Sequence, residues 1–133
     1  MIESGIEKSI KQFIKLKGGW ITRIQSGAVK KEYTTVGGMN KTHFLRLAEA
    51  GTPDMIGCLN GTFLGVEVKK DKKEVLKWMA YPNGLKGKPI KFNSRNDAQK
   101  NASREIRKAG GFFAVVCSVD ELEKDLKAIG ILS

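Results

Sequence analysis

The segment GTPDMIGCLNGTFLGVEVKK, residues 51–70, holds three residues whose types and spacing suit chemistry: Asp54, Glu67 and Lys69. In a strand, side chains two apart share a face, so Glu67 and Lys69 project together while Leu64, Val66 and Val68 line the other side. Asn60-Gly61, between two apolar runs, is a tight-turn signal because both residues tolerate positive φ. A hairpin turning there sets position 54 roughly opposite position 67. Two carboxylates so placed repel and titrate upward unless a cation sits between them. Mg²⁺ or Mn²⁺, which take carboxylate and carbonyl oxygens, suits such a pair better than zinc, because no His or Cys accompanies it. The simpler reading is a surface ion pair between Glu67 and Lys69, which is worth under about 1 kcal/mol and leaves Asp54 unexplained.

The elements around this segment have to position it. Ile6, Ile10, Phe13 and Ile14 recur at helical spacing over residues 2–17, and Gly18-Gly19 ends that helix. WITRIQ, 20–25, alternates as a strand. SGAVKKEYTTVGGMNK, 26–41, reads as a polar, Gly-rich, mobile connection. THFLRLAEA, 42–50, is ambiguous between a strand beside WITRIQ and a helical turn, and strand is favoured. MIGCL and FLGVEVKK form the hairpin. The lysine-rich stretch 71–94 reads mostly as loop, although KKEVLKWMA, 72–80, has the makings of a short helix. SRNDAQKNASREIRKAGG is a helix with Ser94 as N-cap, stopping at Gly110-Gly111, with Ala98, Ala102, Ile106 and Ala109 on one face. FFAVVCSV is a buried strand, and DELEKDLKAIGIL a last helix capped by Ser118 or Asp120. The order predicts an α/β fold, a mixed central β-sheet flanked by helices, in one domain spanning 1–133.

Composition narrows the partners. Twenty-four Lys and Arg against 14 Asp and Glu give a net charge of +10, and a domain this basic usually meets a polyanion, nucleic acid being the commonest. No run of about 18 apolar residues is present to span a membrane. The N-terminus lacks the apolar core of a signal peptide, so a cytoplasmic location is expected. Cys58 and Cys117 read as reduced core thiols rather than a disulfide or a zinc knuckle. Trp20, Phe112 and Phe113 read as core, and His43 as a loop or DNA-facing residue rather than a ligand. The lysines from 69 to 91 form either a solvated face or a phosphate-tracking surface, and the overall charge favours the latter.

Pro53-Asp54 and Glu67-Val68-Lys69 resemble the PD-(D/E)XK nuclease motif. The longer pattern GTPDMIG…NGTFLGVEVKK, a helix carrying Gln99, and AGGFFAVVCSVDEL is similar to the VRR-NUC subfamily, the virus-type replication-repair nucleases, over nearly the whole chain. The stretch 70–93 is less typical. The resemblance implies a restriction-endonuclease-like core and Mg²⁺- or Mn²⁺-dependent hydrolysis of DNA phosphodiesters, leaving 5′-phosphate and 3′-hydroxyl ends. It implies that Asp54, Glu67 and the backbone carbonyl of Val68 hold the metal, and that Lys69 orients the attacking water or stabilises charge on the phosphate. Family members add a Glu from the first helix and a Gln from the helix after the motif. Gln99 matches the second, and Glu3 fits the first better than Glu7, although both lie on the inward face.

Arg23 and Ser26 at the R.QSG strand end, with Lys70, Lys72 and Lys73, are the candidate nucleic-acid contacts. The expected substrate is branched, flapped or four-way-junction DNA, in replication, repair or recombination, with a phage or prophage source in keeping with the subfamily. Two alternatives stand beside it: a non-catalytic nucleic-acid-binding module and an RNA-directed nuclease. A homodimer is expected, with 71–85 contributing contacts through Trp78, Met79 and Tyr81, apolar residues that a loop in a monomer gains little by displaying.

Overall fold

The computed structural model describes residues 2–24, 28–34, 36–46, 49–83 and 93–133, with backbone only for 28–33 and 40–46. The chain runs α1 (Glu3–Leu16), β1 (Trp20–Arg23), β2 (Ala28–Thr34), β3 (Asn40–Arg46), β4 (Met55–Leu59), β5 (Thr62–Val68), α2 (Lys72–Ala80), α3 (Ser94–Lys108), β6 (Phe112–Val116) and α4 (Val119–Ala128). Four strands form a mixed sheet in the order β1-β4-β5-β6, antiparallel except for the parallel pair β5-β6. A parallel pair needs a crossover, and α2 and α3 supply it. The architecture is α/β, a mixed four-stranded sheet flanked by helices. No helix among the described residues is long and apolar enough to cross a membrane.

Strand periodicity divides the sheet's two faces. Leu64, Val66 and Val68 of β5 face one way and are buried with Ile6, Ile10 and Ile14 of α1 and Leu122 and Leu126 of α4. The isoleucines stack at four-residue spacing, which presents one apolar stripe of α1 to the sheet. On the opposite face Phe113 of β6 stacks on Trp78 of α2, ring centroids 5.8 Å apart, and Gly65 lies against Pro53 and Ile106 of α3. Glu67 belongs to this second face. The β4–β5 turn has Asn60 at φ 50° and Gly61 at φ 79°, the paired positive dihedrals of a two-residue hairpin.

Several expectations are corrected. The segment 26–41 is not an irregular connection, because Ala28–Thr34 forms β2 and pairs antiparallel with β3 from Ala28↔Arg46 to Thr34↔Asn40. The strand expected from THFLRLAEA exists as β3, but in this separate two-stranded sheet and not beside β1. The stretch after the motif is helical over Lys72–Ala80, with the Asp71 carboxylate accepting the Glu74 N–H as N-cap. Trp78 and Tyr81 are each only 5% exposed. They are therefore core of this chain rather than spare apolar surface for a dimer, and only Met79 of the three is exposed. Asn93, not Ser94, caps α3 by accepting the Arg95 and Asn96 N–H groups.

The buried residues of α3 are Gln99 and Ser103, while Ala98, Ala102 and Ile106 are half-buried and Ala109 exposed. Trp20 is 63% exposed, because the strand turns Ile21 inward and leaves Trp20 on the second face, in a row with Cys58 and Phe63. Cys58 is thus exposed, and Cys117 is half-buried, its thiol donating to Glu121 Oε1 at 2.7 Å. Both thiols are free, but neither is a core residue.

Candidate active site

The hairpin builds the centre. Met55 pairs with Val66, so the next rung outward sets Asp54 opposite Glu67, and each carboxylate is held by the other strand's backbone. Asp54 N–H donates to Glu67 Oε1 at 3.0 Å, and Val68 N–H donates to Asp54 Oδ2 at 2.9 Å. Ile24 N–H donates to the Asp54 carbonyl at 2.8 Å, tying the same position to the end of β1. The turn before Asp54 rests directly on α3. Gly51 has φ +88°, and a Cβ there would lie 2.3 Å from the Ala98 carbonyl oxygen. Only glycine meets both conditions without strain.

The α3 contact delivers Gln99, whose Nε2 donates to Glu67 Oε2 at 2.8 Å. Both Glu67 oxygens therefore accept hydrogen bonds, and Glu67 is 1% exposed. Burial first, and then the Asp54 charge, push its ionisation up to about 8. Lys69, the Asp54 N–H hydrogen bond and Arg95 act in the other direction without cancelling the rise. Among the described residues neither Asp54 nor Glu67 has an ion pair. A buried carboxylate beside a second carboxylate, with no protein cation in contact, is an electrostatic deficit that a proton or an added cation relieves.

Asp54 opens onto a cleft of about 770 Å³ whose walls also include Glu3, Glu7, Arg23, Arg95 and Gln99, while Glu67 is buried behind this lining. Glu7 lies 3.4 Å from Arg23. Its ionisation is raised mainly by burial, countered by Arg23, and raised further by Asp54 and Glu3. Glu7 thus sits within electrostatic reach of Asp54, while Glu3 is exposed on the preceding turn. Lys69 follows the end of β5, its N–H donating to the Val116 carbonyl at 2.9 Å. It is half-buried and is not among the residues lining the cleft, although its charge reaches Glu67.

The candidate nucleic-acid contacts separate. Arg23 and Lys70 share a hollow next to the cleft with Glu3 and Glu7. Lys72 instead turns to α4, its Nζ 2.6 Å from Glu121, and Lys73 is exposed. Ser26, the side chain of His43 and the lysines at 86, 88 and 91 lie outside the described residues.

Arg95 went unnoticed in the sequence, although it lies four residues before Gln99 and so on the same helical face. Trp78, whose indole N–H donates to Gln99 Oε1 at 2.8 Å, was masked by the loop-like composition around it. Among the described residues no three His, Cys, Asp or Glu side chains converge into a group able to hold a metal ion. Such a site would draw on the Asp54–Glu67 pair with backbone oxygen and water. No family model, curated protein or solved structure matches the chain.

Proposed function

We propose that the chain is a divalent-metal-dependent nuclease of the PD-(D/E)XK type. Within that class it is best read as a VRR-NUC-like endonuclease acting on branched DNA. The carrying observation is the pair Asp54–Glu67, locked across the hairpin by two backbone hydrogen bonds, one member buried, with no contacting cation among the described residues. Oxygen-only donors that repel one another fit Mg²⁺ or Mn²⁺. Asp54, Glu67 and the Val68 carbonyl would hold the ion, with Glu7 or Glu3 reaching it through water.

When bound, such an ion activates water and neutralises charge on a phosphate. The chain does the rest. Gln99 fixes the Glu67 carboxylate, and the hairpin fixes the spacing of the two acids. Arg23 and Arg95 on the cleft walls meet flanking phosphates. Lys69 approaches the reacting phosphate once substrate fills the cleft.

The position of Lys69 outside the cleft lining favours a second reading, a nucleic-acid-binding module that does not cut. A panel of end-labelled linear, flap and four-way DNA and of matched RNA, each with Mg²⁺, Mn²⁺ or EDTA, separates the readings. Metal-dependent cutting of branched DNA supports the proposal. Tight binding without cutting in either metal sinks it in favour of the module, and selective cutting of RNA moves the substrate class.

A further inference from the structure

We infer that Trp78 is a positioning residue for the carboxylate centre: its indole N–H decides which way round the Gln99 amide sits, and so aims N–H rather than oxygen at Glu67. The inference rests on reading Asp54 and Glu67 as the metal-holding pair. The chain of bonds runs Trp78 Nε1 to Gln99 Oε1 at 2.8 Å, then Gln99 Nε2 to Glu67 Oε2 at 2.8 Å. An indole N–H only donates, and Glu67 with a cation bound is an ionised carboxylate that only accepts, so the amide between them satisfies both in one orientation. Rotated by 180°, it would set N–H against N–H and oxygen against carboxylate. Gln99 is 4% exposed and Trp78 5%, which leaves bulk water little access to repair the mismatch.

The indole is itself held from several sides. Phe113 stacks on it with rings inclined at 28°, and the Lys100 ammonium lies 4.0 Å from its ring centroid. Lys100 also donates to the Met79 carbonyl at 3.2 Å. Three residues after Trp78, the Tyr81 hydroxyl donates to the Asn93 carbonyl at 3.1 Å, where Asn93 caps α3. The end of α2 and the start of α3 are thereby fastened together around the hydrogen bond. Neither Trp78 nor its helix lines the cleft, so Trp78 acts on the centre only through Gln99.

Trp78→Phe keeps an aromatic ring for the stack and removes the N–H. With a ¹⁵N-labelled chain, the indole resonance lost in Trp78→Phe identifies Trp78, and the exposed Trp20 serves as the internal reference. That resonance should move in Gln99→Ala and, by a smaller amount, in Glu67→Gln, while Trp20 stays put. Mg²⁺ affinity by calorimetry and kcat on branched DNA should each fall about 10- to 100-fold in Trp78→Phe, the usual effect of losing a partner behind a metal ligand, with KM within about twofold. Trp78→Phe combined with Gln99→Ala should be no worse than Gln99→Ala alone, because both remove one relay.

An indole resonance indifferent to both Gln99→Ala and Glu67→Gln overturns the relay whatever the activity. So does a Trp78→Phe chain with parental kcat and Mg²⁺ affinity when the parent is active. A parent that neither binds Mg²⁺ nor cuts, yet shows both resonance shifts, removes the nuclease reading and leaves the relay standing.

Discussion

Replacing Asp54 with Asn tests the electrostatics of the centre without its chemistry. Asn keeps an oxygen for the Val68 N–H, so the lock across the hairpin survives while the charge goes. In the folded chain Glu67 ionises near 8, against an ordinary 4.5. Between those values the folded chain holds a proton that the unfolded chain has released. The associated stability is therefore full below about 4.5 and is lost as pH rises through 8.

Each pH unit of that gap corresponds to about 1.4 kcal/mol, so the whole gap is worth roughly 5 kcal/mol. Asp54 is the second cause after burial, so removing its charge should recover part of that gap, on the order of 1–2 kcal/mol. Urea unfolding in EDTA should show Asp54→Asn gaining about 1–2 kcal/mol relative to the parent between pH 6 and pH 9. At pH 6 Glu67 is mostly neutral in both chains and the difference should be small. Comparing the two chains at each pH cancels the titrating groups that Asp54 does not influence; Glu7, which it does, is controlled by repeating the comparison in a Glu7→Gln background. Adding Mg²⁺ should then stabilise the parent and not the variant. A parent-to-variant difference that is the same at pH 6 and pH 9 would refute the claim that two charges face each other across the hairpin.

Gly51→Ala should destabilise by roughly 2–4 kcal/mol, from the left-handed backbone and the collision with the Ala98 carbonyl; urea unfolding within about 0.5 kcal/mol of the parent, the scale of an ordinary surface change, would show that the turn does not rest on α3. Lys69→Ala should lower the cleavage rate by about 10²-fold or more while metal affinity by calorimetry stays level or rises. Weakened metal binding would make Lys69 part of the scaffold instead. Glu7→Gln should damage cleavage more than Glu3→Gln, because Glu7 is the acid within electrostatic reach of Asp54; the reverse order in a side-by-side rate assay would return the first-helix role to Glu3.

The facing of Asp54 and Glu67 was legible because one dipeptide decides it. Asn60-Gly61 admits a two-residue turn, the turn fixes the register, and the register carries position 54 to position 67. The buried stripe of α1 was legible for a similar reason, since Ile6, Ile10 and Ile14 leave one way to pack. The β2–β3 hairpin was hidden because Lys30, Lys31 and Glu32 interrupt the apolar alternation, although Gly37-Gly38 between β-forming runs is itself a hairpin signal.

Helix α2 was only half legible among the lysines around it, which made 72–80 a possible short helix within a loop-like stretch. Its start is nevertheless marked by Asp71 followed three residues later by Glu74, and Val75 and Trp78 share a helical face. Reading 71–94 mostly as loop, with 72–80 as no more than a possible short helix, is what made Trp78 and Tyr81 look like surface. Trp20 failed in the opposite sense: a large apolar residue was read as core, whereas strand alternation gives the core to Ile21. The polar interior of α3 was legible only in part, because its buried positions are Gln99 and Ser103 while its alanines stand half-open beside them.

The central claim is that Asp54 and Glu67 hold a divalent ion that serves phosphodiester cleavage. Its most direct measurement is cleavage of an end-labelled four-way DNA junction by the parent and by Asp54→Asn, in Mg²⁺ and in EDTA, with binding followed in the same samples. The expected result is cutting by the parent in Mg²⁺ alone, leaving 5′-phosphate ends, and intact or tighter binding without cutting by the variant. Cutting by Asp54→Asn at close to the parental rate, or a parent that binds the junction and leaves it whole in both Mg²⁺ and Mn²⁺, would contradict it.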